Sequence, residues 1–357
     1  MNMERQKKII RFGVITEPFK AEVHSQSLRE IHADEVLIRM EACNICTGDY
    51  TQYIGLRNHQ GFPHAGGHEW VGRIVQVGDS VSSVKVGDRV ASLSDRPCCE
   101  CNQCMTGNFM ECEQNIQYTI GEDGYYGDRF FATYAIAKPH KLIKMADSLS
   151  AAEAAMLEPL STCVQCAKQA AICPSDHVVV VGGGTMGLLN AQVANAYGAS
   201  VYITEMMPKK LERAKSMGFA RVIDVSNEDP VAIVKEATGG KGADTVIFGT
   251  ANDKAYKQGY SMLKKLRGRL VFFPAGFPEP TFAVMPNEIH YRMMTLVGSY
   301  GATMQDYLEA AKLMEQGRVN VAFSMEGLSF PLSQFDLALK TAAEPGRYRI
   351  TVDLTED

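Results

Sequence analysis

From Val178 to Thr204 the chain runs for 27 residues without one charged side chain, and no other stretch limits the fold as much. A membrane-spanning helix needs about 20 predominantly apolar residues in a row. Here Gly182, Gly183, Gly184 and Gly187 break the run, and Asn190, Gln192 and Asn195 follow. The pattern reads instead as a strand (HVVVVG, 177–182), a glycine turn, a helix to Tyr197, and a second strand (SVYITE, 200–205). Strands so free of polar residues need cover on both faces, which is the condition inside a parallel sheet.

The rhythm continues downstream. A helix over Lys209–Met217 precedes RVIDV (221–225), and a helix around 229–238 precedes DTVIFGT (244–250). A helix over 255–266 then leads to RLVFFPA (269–275) and TLVGSY (295–300). Alternating strands and helices predict an α/β fold with a doubly wound parallel sheet of the Rossmann kind. Residues before 158 have another texture: short β-rich runs such as DEVLIRMEA (34–42), WVGRIVQVG (70–78) and VKVGDRVAS (84–92), punctuated by Gly-Asp. After Tyr300 the pattern holds one helix, Gln305–Gln316, and a β tail, RYRITVDL (347–354). At about 150 residues per domain, 357 residues give two domains. The expected division is a β-rich domain over 1–160 with a cysteine lobe at about 95–115, a dinucleotide-binding domain over 161–300, and a segment, 301–357, returning to the first.

Charge narrows the partners. Lys and Arg number 36 against 41 Asp and Glu, a net −5. That balance excludes nucleic acid and anionic membranes as the expected partners, because both select basic surfaces. The N-terminal MNMERQKKIIRFG lacks the apolar core of a signal peptide. Five of the ten cysteines crowd between 98 and 112, which suits metal ligation in a reducing compartment better than a disulfide framework. The expected location is cytoplasmic.

Gly182-Gly183-Gly184-Thr185-Met186-Gly187 fits G-x-G-x-x-G after a strand and before a helix. The glycines permit a tight turn and close approach of backbone to a pyrophosphate, while the helix start offers free N–H groups. Glu205 ends the next strand 18 residues after Gly187, near the expected spacing of about 20. A carboxylate there accepts hydrogen bonds from ribose hydroxyls and repels a 2′-phosphate, so NAD is favoured; Lys209 and Lys210 keep NADP as the alternative. Thr250, Gly276 and Ser299, at or just beyond the ends of later strands, complete the cofactor-binding candidates.

Cys98, Cys101, Cys104 and Cys112 fall at C-x2-C-x2-C-x7-C. Four thiolates on one loop close a tetrahedral Zn²⁺ shell and leave no position for a reactant, the mark of a structural ion. Cys99 offers an alternative start with a tighter bite, and an iron–sulfur cluster or a thiol redox switch are the competing readings. Cys163 and Cys166, on a helical STCVQCAKQA stretch, are expected to be half-buried packing residues. His59, His64, His140 and His290 lack paired ligand spacing, and His64 is expected at the surface, with the entrance to the site as its alternative.

Two further stretches, EACNICTGDY (41–50) and FPHAGGHEWVG (62–72), join LEPLS (157–161), the Gly-Asp-Arg-Val run, the cysteine lobe and the glycine fingerprint in a fixed order. Together they give the chain, over essentially its whole length, a resemblance to the zinc-containing medium-chain dehydrogenases and, within them, to the polyol (sorbitol-like) branch. The resemblance implies a GroES-like catalytic domain beside the Rossmann domain. It implies a catalytic zinc held by Cys46, rather than Cys43, with His68, Glu69 and Glu158, and a second, structural zinc. It further implies NAD-dependent oxidation of a secondary alcohol, with the small-molecule substrate's hydroxyl on the metal, in a homodimer or homotetramer.

Departures are visible. Where the family commonly carries Ser or Thr and then His, this chain has Gly48 and Thr51, so Thr47, Thr51 or Glu158 must take up the proton; Glu158 is preferred. An arginine that sorbitol-type members often carry after the last Rossmann strand is replaced by Gly301, while Arg129 in a tyrosine-rich loop (121–131) offers another polar wall. An amino-alcohol dehydrogenase of the threonine type, or a non-catalytic zinc- or dinucleotide-binding relative, fits the same motifs.

Overall fold

The structure is a computed structural model that describes residues 8–57, 60–93, 97–114, 120–121 and 123–356. His59 lies outside the described residues. The chain divides into two compact units, Met1–Glu158 with Glu326–Asp357, and Pro159–Met325.

The first unit begins with an antiparallel hairpin, β1 (Ile9–Glu17) and β2 (Lys20–Ser27). Strands β3 (Val36–Asn44), β4 (Glu69–Val77), β5 (Arg89–Ser92), β6 (Tyr134–Ala137) and β7 (Leu142–Lys144) follow, with short helices α1 (Thr47–Tyr53), α2 (Asn102–Met105) and α3 (Ala151–Ala154) in the connections. Only the last four of the nine residues of the VKVGDRVAS stretch form a strand. Its first part is a turn in which the Asp88 carboxylate accepts the Lys85 N–H and Gly87 takes a φ of 93°.

The boundary between units falls inside α4 (Leu157–Gln169), after Glu158. The second unit then alternates β8 (His177–Val181), α5 (Thr185–Ala196), β9 (Ser200–Glu205), α6 (Pro208–Lys215), β10 (Arg221–Asp224), α7 (Pro230–Ala237), β11 (Thr245–Phe248), α8 (Asp253–Met262), β12 (Arg269–Phe272), α9 (Pro286–Arg292) and β13 (Thr295–Gly298). The strands lie in the order β10-β9-β8-β11-β12-β13, all parallel. Strand order reverses between β8 and β11, the switch point at whose carboxyl ends such sheets bind ligands. Val178 to Val181 are buried, as the uncharged sequence demands.

Helix α10 (Met304–Glu315) also belongs to the second unit. Lys168 on α4 bridges Asp306 at 2.7 Å and Glu309 at 2.8 Å, and the Tyr197 hydroxyl donates to Glu309. These contacts move the return point from residue 301, where the sequence pattern put it, to Glu326.

The C-terminal return consists of β14 (Met325–Pro331), α11 (Phe335–Ala342) and β15 (Arg349–Asp353). It joins the first unit's seven-stranded sheet, ordered β14-β15-β3-β4-β5-β7 with β6 on β3. Phe335 and Leu339 of α11 pack with Ile38, Met40, Trp70, Phe131, Ile350 and Val352 in one buried cluster. Each such side chain contributes about 1.5–3 kcal/mol of transfer free energy. No helix among the described residues is long and apolar enough to cross a membrane.

Candidate active site

Strand register brings distant residues to one end of the first unit's sheet. On β3, Asn44 pairs with Glu69 at the start of β4 and with Thr351 on β15. The Thr351 hydroxyl donates to the Asn44 side-chain oxygen at 2.7 Å, and the Ile45 N–H donates to the Ile350 carbonyl at 2.9 Å. Cys46 therefore leaves the sheet beside Glu69 and Arg349, and it caps the N-terminus of α1.

Asp49, on the first turn of α1, fixes two loops together. One carboxylate oxygen accepts the Cys46 N–H at 2.9 Å and the other accepts the Gly67 N–H at 3.3 Å. Gly67 has a φ of 95°, and a Cβ there would lie 2.8 Å from the Phe131 backbone nitrogen, so the approach to His68 requires glycine. As a result one donor atom each from Cys46, His68 and Glu69 comes within 4.8 Å of the others. Thiolate, imidazole and carboxylate suit a divalent zinc, and three protein donors leave a position open for a reactant.

Glu69 is fully buried and clamped by an arginine. The Arg349 guanidinium donates to its two oxygens at 2.5 and 2.8 Å and reaches the Cys46 sulfur at 3.6 Å. Burial opposes the charge on Arg349, but Glu69, Cys46 and Glu158 hold it protonated. At His68 burial works against the imidazolium, while the Cys46 sulfur, Asp49 and Glu158 pull its pKa well above the ordinary value. An anionic pocket of this kind is what a cation needs. Cys43 behaves oppositely: burial, then Asp49 and Glu69, push its thiol well above the ordinary range, so it stays protonated and apolar.

Glu158 stands outside the 4.8 Å set but close enough to act on both His68 and Arg349. Thr51 donates its hydroxyl to the Thr47 and Gly48 carbonyls at 2.7 and 3.1 Å, which commits its proton to the helix, and Thr47 is exposed. Arg349 escaped the sequence reading. Its one signal is a cation flanked by Tyr348 and Ile350 in the terminal strand.

The second cluster is local. Cys98, Cys101, Cys104 and Cys112 bring their sulfurs within 4.8 Å of one another. Backbone N–H groups aim at the sulfurs: Cys101 N to Cys98 at 3.2 Å, Cys98 N to Cys112 at 3.4 Å, and Cys104 N to Cys101 at 3.5 Å. The N–H donors of Cys104 and Glu113 pull the Cys101 thiol down to about 6. Burial raises Cys112, but the N–H groups of Cys98 and Gln114 outweigh it and leave that thiol below the ordinary range. Four sulfurs with backbone donors fit a closed zinc shell. Cys99 stands apart, with a φ of 62° and its thiol turned to the Pro97 carbonyl.

In the second unit the glycine turn is sterically forced. Gly182 has a φ of 104°, and a Cβ on Gly187 would fall 1.9 Å from the Gly182 carbonyl oxygen. Gly184 caps α5, whose first residues are Thr185 and Met186. Glu205, at the end of β9, accepts the Gly183 N–H at 2.8 Å and the Met206 and Met207 N–H groups at 2.7 and 2.9 Å. Thr250 lies against Gly182, Gly276 against Ala251, and Ser299 follows β13 with its N–H on the Phe272 carbonyl at 3.1 Å. All of these candidates gather at the carboxyl ends of the parallel strands. The Lys210 ammonium is also near, 3.6 Å from where a Gly184 Cβ would be.

Other expectations change. Cys163 and Cys166 are fully rather than half buried, and burial pushes Cys166 up to about 12. His64 is 5 % exposed, not at the surface, with Nδ1 lacking a hydrogen-bond partner and burial holding its pKa down at about 4. Arg129 pairs with Asp123 and stacks on Phe12 and Tyr125.

Comparison with known proteins extends these observations. A family model described as the alcohol dehydrogenase GroES-like domain matches residues 32–147, and one described as zinc-binding dehydrogenase matches 185–316. The chain is 30% identical over 286 residues to an L-galactonate-5-dehydrogenase of Escherichia coli K12, covering 80% of this chain and 82% of that one. It is 31% identical over 343 residues to an erythritol/L-threitol dehydrogenase of Mycolicibacterium smegmatis, covering 90% of each. The fold matches a benzyl alcohol dehydrogenase crystal structure from Acinetobacter calcoaceticus, with a TM-score of 0.85, 23% identity, and coverage of 97% of this chain and 99% of that one.

Proposed function

We propose that this chain, which belongs to the zinc-containing medium-chain dehydrogenase family, moves a hydride between a secondary alcohol of a polyol or sugar-like substrate and NAD. The observation that carries the reading is the open three-donor set of Cys46, His68 and Glu69 in a chain that also builds a Rossmann sheet with Glu205 at its glycine turn. The relatives act, by name, on an aldonate and on a tetritol, both polyhydroxylated.

Zinc in that set would supply Lewis acidity that lowers the pKa of an alcohol hydroxyl, and NAD would accept the hydride. Cys46, His68 and Glu69 hold the ion, while Arg349 and Asp49 fix the ligands' positions. Glu158 takes the hydroxyl proton in oxidation and returns it in reduction; the Thr51 hydroxyl is committed to backbone. The four-cysteine lobe holds the second zinc and does no chemistry. Glu205 accepts the ribose hydroxyls of NAD.

Two further points belong to this reading. Strand β13 ends the parallel sheet with Leu296 exposed, beside exposed Tyr291 and Met293. An apolar free edge of that kind suits pairing with a second copy across a twofold axis, giving a homodimer or a pair of dimers. The ten free cysteines fit the reducing cytoplasm.

The test is a metal assay with a substrate panel. Purified protein should carry two zinc ions per chain and reduce NAD with polyols or acidic sugars; no turnover across the panel with both ions bound would reject the reading. Glu205→Arg should shift preference toward NADP, and unchanged selectivity would reject the role given to Glu205. Light scattering reads the oligomer.

A further inference from the structure

In a doubly wound sheet the two halves of a bound dinucleotide lie on opposite sides of the point where strand order reverses. With Glu205 of β9 taken by the adenosine ribose, the nicotinamide half falls to the ends of β11, β12 and β13. The end of β13 is open on one face. A Cβ built on Gly298 would meet nothing within 4 Å, and its φ lies outside the left-handed region. Neither packing nor backbone conformation calls for glycine there. Side chains leave a strand across the faces of its sheet, so a second copy pairing along the β13 edge would not fill the space. Ser299 comes next, buried, with a hydroxyl oxygen that has no hydrogen-bond partner. The Cys166 thiol beside it, kept protonated by burial, is only a weak donor and acceptor. A buried polar atom in that state asks for a water or a ligand.

Helix α4 reaches the same turn. Gln165 donates its side-chain Nε2–H to the Tyr300 carbonyl at 3.3 Å, and its Oε1 is buried without a partner. A carbonyl only accepts, so this contact fixes which way the amide faces. Two residues earlier on α4, the Cys163 sulfur lies 4.0 Å from the Met186 carbonyl at the start of α5. One helix therefore touches both the start of α5 and the end of β13, all within the second unit. The peptide between Tyr300 and Gly301 is planar and trans, so its C=O and N–H point in opposite directions. With the carbonyl held toward α4, the Gly301 N–H is turned away from that helix, and it has no hydrogen-bond partner among the described residues.

We infer that Gln165 is a positioning residue for the nicotinamide end of the cofactor: by holding the Tyr300 carbonyl it aims the Gly301 N–H at the carboxamide. That group suits the turn, because it brings a carbonyl that accepts and an amino group that donates, beside the unpartnered Ser299 hydroxyl. The inference rests on the proposed use of NAD and assigns a residue to one half of it. Gln165 acts through the backbone and touches no reacting atom.

The experiment is calorimetric binding of NADH and of ADP-ribose, the same cofactor without its nicotinamide, to the zinc-loaded full chain. Wild type should bind both, NADH more tightly. Gln165→Glu keeps the shape but, ionised, has no hydrogen to donate. It should weaken NADH about 3- to 10-fold, the worth of one neutral hydrogen bond, and leave ADP-ribose unchanged. Gln165→Met, which also lacks the donor, should give the same split. Gln165→His restores a ring N–H and should recover part of the NADH affinity. A merely structural glutamine would move both ligands together. Equal losses for NADH and ADP-ribose, or NADH binding untouched in the Glu and Met variants, overturns the inference while leaving the cofactor reading in place. A wild type that binds neither ligand rejects the cofactor reading, and the role of Gln165 falls with it.

Discussion

The two cysteine-bearing clusters of the first unit differ in how the chain makes them. The lobe draws Cys98, Cys101, Cys104 and Cys112 from a single loop, and short-range backbone N–H contacts hold the sulfurs. The other cluster draws Cys46 from the end of β3, His68 and Glu69 from the start of β4, and its clamp, Arg349, from β15, 280 residues beyond Glu69. A local set of four thiolates saturates a metal and can only hold structure. A set assembled through sheet register can stop at three donors and keep a coordination position for chemistry. The lobe needs little from the rest of the molecule; the open cluster exists only if the C-terminal strand docks.

The sharpest way to break this contrast is to remove one thiol from each cluster. Cys46→Ser should lower turnover on the order of 10³-fold, the upper end of what loss of one charge-stabilising element costs. It should leave one zinc per chain. Cys104→Ser should also leave one zinc per chain, yet retain measurable turnover in whatever fraction stays folded. Metal analysis beside initial rates decides it. A Cys46→Ser variant as active as Cys104→Ser would mean that the open cluster is not where the reaction happens.

Arg349 tests the dependence on long-range docking. Arg349→Leu leaves the fully buried Glu69 carboxylate without its partner, and breaking a buried pair in this way costs about 3–5 kcal/mol. Denaturant unfolding should register that loss, and zinc affinity at the open cluster should weaken about 10- to 100-fold, as for other groups that orient a ligand. The lobe should keep its ion. Equal weakening at both clusters would show that Arg349 supports the unit as a whole rather than one site.

How far each cluster could be read in advance follows from the same difference. The grouping of the four lobe cysteines was legible, because ligand spacing along the chain is also spacing in space. The strand–helix alternation was equally legible, and SVYITE matches β9 residue for residue, since buried parallel strands announce themselves by composition. Cys46, His68 and Glu69 were found through motif order, not through any local pattern. Arg349, the Asp49 bridge between loops and the burial of His64 were not, because each depends on which strands become neighbours. The hairpin β1–β2, the strand β14 and the helix α11 were also missed. Their residues alternate weakly and become ordered by packing, as where Phe335 lies on the Phe131 ring at 4.9 Å. The return to the first unit at Glu326 instead of 301 was invisible for a related reason: α10 is held by Lys168 and Tyr197, contacts across more than 100 residues.

The smallest expected effect concerns acid, and it separates the two clusters by pH. His64 sits four residues before His68, buried among the loops that carry the open cluster. Burial, reinforced by the neighbouring His68, holds its pKa at about 4 against an ordinary 6.5. The sign follows from proton linkage. Between those two values the unfolded chain binds a proton at His64 and the folded chain does not, so folding stability is complete above 6.5 and drains away as the pH falls toward 4. The loss at this one residue is roughly 1–3 kcal/mol by the lower end of the window. His64→Val fills the same wall without a titrating group, so its stability should fall less than wild type's between pH 7 and pH 4 by that amount. Denaturant midpoints at several pH values measure it. Parallel curves for the two proteins would mean that His64 takes up its proton in the folded state, and that the wall around the open cluster admits charge.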